Sequence, residues 1–115
     1  MQTLQVDPRW LVDEFVYEKY AGEDEYGGVQ FDNAIIVKNC RIDYKKSYER
    51  NATEVLKIGD GTIYCYSRFT TGAALKDLVE KSKVTIDGKA YTIKQVAIFK
   101  EVMSSEIFSV ELVIL

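Results

Sequence analysis

The last third of the chain leaves few folding options. From Lys83 it reads KVTI, then Asp87-Gly88, then KAYTIKQVAIFKE, a short VMSS, and EIFSVELVIL. Asp-Gly between alternating apolar residues marks a two-residue hairpin, because both central positions of such a turn need positive φ. Val84 and Ile86 alternate with Thr85 before the dipeptide, and Tyr91 and Ile93 alternate with Thr92 and Lys94 after it. In the closing segment Phe108, Val110, Leu112 and Ile114 share one parity, with Ser109 and Glu111 opposite. Period two is the mark of a strand with one buried face, so a three-stranded antiparallel meander is expected. Val96-Ala97-Ile98-Phe99 breaks the alternation, which requires either a bulge or cover on both faces.

The preceding residues extend the same pattern. Residues 1–13 read as an N-terminal arm with a short helix, in which Asp7 caps and Pro8 takes the first helical position. That helix either plugs an open end of the β core or offers Trp10 to a partner. EFVYEKY, residues 14–20, has the aromatic and β-branched content of a strand. Residues 21–33 read as an exposed loop, with Glu23-Asp24-Glu25 among glycines. Ala34 to Tyr44 reads as a long strand in which Ile36, Cys40, Ile42 and Tyr44 share a parity interrupted by Lys38. Residues 45–53 lack a period and read as a second exposed loop, of a length that in compact domains is functional or disordered. Glu54–Ile58 and Thr62–Tyr66 read as a hairpin around Gly59-Asp60-Gly61, with Ile63 and Cys65 inward. Residues 67–82 form a crossover, with a helix near 73–80 set by Ala74, Leu75, Leu78 and Val79. The fold class is therefore mainly β: a small antiparallel β-barrel or sandwich of six to seven strands with one or two short helices, in a single domain over residues 1–115.

Bulk properties narrow the function classes. The 115 residues are 47% hydrophobic and 29% charged, the composition of a globular domain. No apolar run approaches the roughly 18 residues of a membrane-spanning helix, and MQTLQVDPRW lacks the order of a secretory signal. A cytoplasmic site of synthesis, with no membrane partner, is the expectation. The net charge of −3 gives no basic field for phosphate backbones, so specific nucleic-acid binding is not expected. The chain has no His, which removes the usual proton shuttle and the commonest metal ligand. Cys40 and Cys65 each lie in a strand and read as small buried hydrophobes rather than a disulfide.

A search for chemistry finds no catalytic constellation. No G-x-S-x-G, S-x-x-K or G-x-x-x-x-G-K occurs, and without His a Ser or Cys nucleophile has only Lys or a carboxylate as base. Glu23, Asp24 and Glu25 are hard oxygen ligands, but their spacing is not that of a calcium loop. No enzyme activity, cofactor or metal is expected. The expected contact residues instead face protein partners: Trp10, Glu23, Asp24, Glu25 and Tyr26, then Lys45, Lys46, Tyr48, Glu49 and Arg50. Tyr is enriched at such interfaces because its ring packs while its hydroxyl stays hydrogen-bonded.

EFVYEKY at 14–20, IIVKNCRIDY at 35–44, IGDGTIYCY at 58–66, SKVTIDGKAYTIKQV at 82–96 and EIFSVELVIL at 106–115 carry a resemblance. Together they resemble the small minor capsid proteins of tailed phages and prophages of Gram-positive bacteria. The resemblance implies a structural virion protein of the head-completion or head–tail connector type: a homo-oligomeric ring at the neck, with portal, adaptor and tail proteins as partners. It implies no catalytic motif, so no active-site residue is transferred. Two alternatives stay open on the residues alone. The Tyr-rich strands suit a single-stranded nucleic-acid-binding barrel, and the same fold suits a small-ligand or carbohydrate-binding sandwich.

Overall fold

The computed structural model describes residues 8–50 and 52–115. Ten strands follow one another: β1 (Asp13–Glu18), β2 (Tyr20–Glu23), β3 (Val29–Phe31), β4 (Ile35–Asp43), β5 (Ser47–Arg50), β6 (Val55–Gly59), β7 (Gly61–Tyr66), β8 (Lys83–Ile86), β9 (Lys89–Lys100) and β10 (Ile107–Ile114). The described helical residues form two short 3-10 turns, Pro8–Trp10 and Leu75–Asp77. Six strands close into an antiparallel barrel in the order β1-β4-β7-β10-β9-β8. The expected mainly β barrel is the fold. The other four strands make two separate two-stranded ribbons, β2–β3 and β5–β6.

The ribbons are the far halves of long hairpins. β1 and β4 pair as far as Tyr17↔Ile35, and the same hairpin continues as Tyr20↔Phe31 and Glu23↔Val29. β4 and β7 pair as far as Asp43↔Thr62, and that hairpin continues as Ser47↔Gly59 to Arg50↔Val55. The two segments expected as loops, 21–33 and 45–53, are therefore exposed but carry strand. Residues 45–53 are polar and without a period, and their strand shows only in its register with β6. β6 also corrects the expected 54–66 hairpin, since it pairs with β5 and not with β7. Asp60-Gly61 is a corner rather than a turn: the Asp60 amide donates to the Ile114 carbonyl at 2.6 Å. A Cβ on Gly61 would lie 2.7 Å from the Asp43 carbonyl oxygen, so only glycine lets β4 and β7 meet there. A radius of gyration of 15.3 Å exceeds the roughly 13 Å of a compact chain this long, in keeping with ribbons that stand off a barrel.

The meander forms as its sequence requires. Asp87 and Gly88 take φ of 49° and 81°, and Ile86 pairs with Lys89 across the turn. Val84, Ile86, Ile93, Val110, Leu112 and Ile114 fill the barrel with Phe15, Tyr17, Val37, Cys40, Ile63 and Cys65. Phe108 is only half-buried, edge-on to Tyr66, because the register shifts between Ile107 and Ser109. The broken alternation in β9 has a cause too. Val113 pairs with Gln95 and Ile114 with Ile93, so Lys94 is bulged. Val96 packs against the core, while Ile98 and Phe99 lie beyond the end of β8, where β9 pairs with β10 alone, and are exposed. A second bulge corrects the parity of β4. Cys40 pairs with Asp13 and Lys38 with Glu14, leaving Asn39 extra at φ 60°. Cys40 therefore points inward with Val37, and Ile36 points out.

The expected helix at 73–80 shrinks to a 3-10 turn. Leu75 and Leu78 are buried, as their spacing requires, but Ala74 and Leu78 are extended. The Val79 amide donates not to a helical carbonyl but to the Tyr17 hydroxyl at 3.0 Å. That hydroxyl donates to the Asp77 carbonyl at 2.7 Å and lies 3.1 Å from Ser82 Oγ, which accepts from the Tyr20 amide at 2.9 Å. One donor and two acceptor positions on the phenol are thus all used. Gly72, at φ 101°, lies against the Ile36 carbonyl where no Cβ fits. At the other terminus Leu11 is buried and anchors the chain, leaving Trp10 exposed. The expected cap residue Asp7 lies outside the described residues.

Two substitutions test this packing. Leu112→Ala, at a fully buried site, should cost about 2–5 kcal/mol in urea unfolding. Tyr17→Phe keeps the ring but strands a buried amide and carbonyl, and should cost about 1–3 kcal/mol. A Tyr17→Phe cost indistinguishable from zero would show that the crossover is held by Leu75 and Leu78 alone.

Candidate protein-interaction surfaces

Strand direction sorts the protruding features. β1 runs from a lower to an upper end, and every barrel neighbour is antiparallel to the next. The upper end therefore carries the β2–β3 ribbon, the crossover 67–82 and the tip of the β9–β10 hairpin. The lower end carries the Pro8–Trp10 turn, the β5–β6 ribbon and the Asp87-Gly88 turn. The barrel is closed, so the unpaired strand edges lie on the ribbons and on β9 beyond Ile93, which pairs there with β10 alone.

The contact residues expected from sequence fall into two groups at opposite ends. At the upper end Glu23 closes β2, and Glu25 and Tyr26 sit in the tip, with Tyr26 89% exposed. Asp24 is committed to the turn itself. Its carboxylate accepts from the Tyr26 amide at 2.9 Å, the Gly28 amide at 2.7 Å and Gln30 Nε2 at 3.3 Å. This makes the 24–28 segment a built turn rather than a solvated run of three equivalent carboxylates. Val29 and Phe31 are exposed on the ribbon behind it.

At the lower end Lys45 and Lys46 link β4 to β5, and Tyr48, Glu49 and Arg50 lie in β5 with exposed side chains. Cross-strand pairing sets Tyr48 opposite Lys57, Glu49 opposite Leu56 and Arg50 opposite Val55. Apolar side chains therefore occur on both faces of this ribbon, and Val55, Leu56 and Ile58 are all 40% exposed or more. Sequence reasoning missed these three, because an apolar run reads as core until its partner strand is known. It also missed Ile98, Phe99, Val102 and Met103 at the β9–β10 tip, all exposed. Val102-Met103 inside a turn is the one sequence signal that marks that tip.

Electrostatics reinforce a structural reading of the barrel wall. Arg41, Tyr64, Glu111 and Ala97 form a row across β4, β7, β10 and β9, with Arg41 5.7 Å over the Tyr64 ring. The Tyr44, Tyr64 and Tyr66 hydroxyls are pushed above their ordinary 10.0, first by burial. Asp87 adds to this at Tyr44, and Glu111 at Tyr64 and Tyr66. The Cys65 thiol is held far up by its hydrogen bond with Cys40 and then by burial, so it stays protonated. Both cysteines are free and buried. Between the β2–β3 base and the crossover lies an open groove of about 680 Å³, lined by Lys19, Phe31, Ile35, Ala73 and Asp77 among others. Lys19 and Asp77 pair across it at 3.6 Å.

Fold and surface together define a small closed β-barrel with an exposed, partly apolar ribbon at each end and an exposed apolar β9–β10 tip. Residues 8–114 match the family described as minor capsid protein, and the chain belongs to that family. It is thus a structural component of a phage virion. Among curated proteins no match is found.

Alkaline stability checks the tyrosine environments. A folded pKa above the unfolded one means that the unfolded chain gives up its protons first as pH rises. Stability held below pH 10.0 is therefore lost as pH climbs past it. The thermal midpoint, followed by circular dichroism, should fall between about pH 9 and pH 11. Glu111→Gln should lessen the fall.

Proposed function

We propose that this minor capsid protein completes the phage head, as one subunit of a homo-oligomeric ring at the neck between portal or adaptor and tail proteins. The observation that carries the reading is the division of exposed apolar surface between unlike ribbons at opposite ends of one closed barrel. A ring subunit must offer different patches to its two neighbours, since a self-complementary patch closes as a dimer. Ribbon edges supply such patches by strand addition, where main-chain hydrogen bonds give affinity and alternate side chains give specificity. The β9–β10 tip, with Val102 and Met103 exposed, is a third contact, suited to a ring above or below. The net charge of −3 fits a wall past which DNA slides without adhering.

Particles assembled without this protein should contain heads that leak DNA or lack tails in electron micrographs. Infectious, fully tailed particles from a clean deletion would overturn the reading. Val55→Ser and Leu56→Ser should leave thermal stability within about 0.5 kcal/mol, since both side chains are exposed, while reducing the yield of tailed particles in complementation.

A further inference from the structure

We propose that copies of this chain join head to tail, with the acidic β2–β3 ribbon of one copy seated on the basic and apolar β5–β6 ribbon of the next. This rests on the ring reading above and names the contact within it.

The two ribbons pose the same physical problem. A two-stranded sheet is marginal in water by itself, and each leaves a row of unpaired backbone groups on its outer strands. Each also holds apolar side chains in solvent: Tyr26, Val29 and Phe31 on one, Tyr48, Val55, Leu56 and Ile58 on the other. Apolar residues on both faces of β5–β6 call for an occupant that flanks an edge and reaches over a face. An edge-on ribbon with a protruding Tyr26 does both.

Charge identifies the occupant. Residues 20–33 carry Glu23, Asp24, Glu25 and Asp32 and no Lys or Arg. Residues 45–58 carry Lys45, Lys46, Arg50 and Lys57 against Glu49 and Glu54, a net of +2 from four minus two. Lys57 is tied to Asp60 at 2.8 Å. Lys45, Lys46, Glu23 and Glu25 have no ion-pair partner among the described residues. Asp24 is absorbed by its own turn, so Glu23 and Glu25 are the carboxylates left to meet the lysines. Contact between two β2–β3 ribbons would bring like charges together, which disfavours a symmetric pair. Contact between unlike ribbons is heterologous, and because they project from opposite ends of the barrel it leaves a β5–β6 ribbon free on one copy and a β2–β3 ribbon free on the other to continue the ring.

Two charge-reversed proteins test this in sedimentation velocity. Lys45→Glu with Lys46→Glu takes residues 45–58 from +2 to −2, and Glu23→Lys with Glu25→Lys takes residues 20–33 from −4 to 0 and sets lysines against Lys45 and Lys46. The wild-type chain should associate with rising concentration, and less so as salt is raised. Each reversed protein alone should associate about tenfold more weakly or not at all. An equimolar mixture should regain association, because the exchanged side chains at 23 and 25 of one protein then meet those of opposite sign at 45 and 46 of the other. Circular dichroism confirms that both variants fold, and Lys45→Gln with Lys46→Gln should give an intermediate loss.

Association that ignores the reversals, or a mixture that stays dissociated, overturns the ribbon contact. So does a wild-type chain that stays monomeric at millimolar concentration, or one that assembles only on a different phage protein. If such a chain is nevertheless found as a ring in intact particles by electron microscopy, the neck reading stands and only this contact falls. If the chain is absent from the neck, the neck reading falls whatever the solution result.

Discussion

The barrel closes where β1 meets β8, and three residue pairs make that seam: Val16↔Thr85, Tyr17↔Val84 and Glu18↔Lys83. Its two strands are separated by most of the chain, so the entropy of closing that loop must be offset by whatever holds β8 in place. The crossover does this from above. Leu75 and Leu78 are buried in the core, and the Tyr17 hydroxyl ties Asp77, Val79 and Ser82 to β1 itself. A buried hydroxyl with every hydrogen-bonding position used is a rigid clamp, whereas one left half-satisfied would weaken the seam. With the seam shut, the β2–β3 and β5–β6 hairpins have no place in the barrel wall and extend from it as ribbons.

Much of this was legible in the sequence where chemistry is local. Asp87-Gly88 needs no tertiary help to take positive φ, and the alternation in β10 survives because Val110, Leu112 and Ile114 all pair in unbroken register with β7. What failed was non-local. Asn39 shifts the parity of β4 by one residue, and nothing in IIVKNCRIDY marks it except an Asn that tolerates the left-handed region. Asp60-Gly61 has the turn dipeptide but serves as a corner, because Gly61 is needed for the approach of Asp43 and not for its own φ. The helical spacing of Leu75 and Leu78 was right for burial and wrong for length, since Tyr17 takes the next amide. Of the surface proposed for contact, the charged half was legible as exposed: Glu23, Asp24, Glu25, Lys45, Lys46, Glu49 and Arg50 all face solvent. The apolar half was not, because exposure of Val55 or Phe99 depends on which strand ends first.

With the barrel closed, the features that stand outside its pairing are the two ribbons, the β9–β10 tip and the edge of β9 beyond Ile93, while the outer wall carries the mixed-charge Arg41–Tyr64–Glu111 row. Membership of a minor capsid family agrees with this economy. A virion component needs durable contacts more than a pocket, and the ribbons proposed above to make them stand clear of the core.

β4 is shared by both hairpins, and that has a mechanical consequence. Its upper half is bonded to β1 and its lower half to β7, while β3 and β5 continue from its two ends. Tension applied between the ribbons therefore runs lengthwise along one strand, at right angles to the ladder bonds that flank it. Those bonds then share the load at once in shear rather than opening one after another like a zip. The line from ribbon to ribbon is therefore the direction in which the barrel resists pulling most.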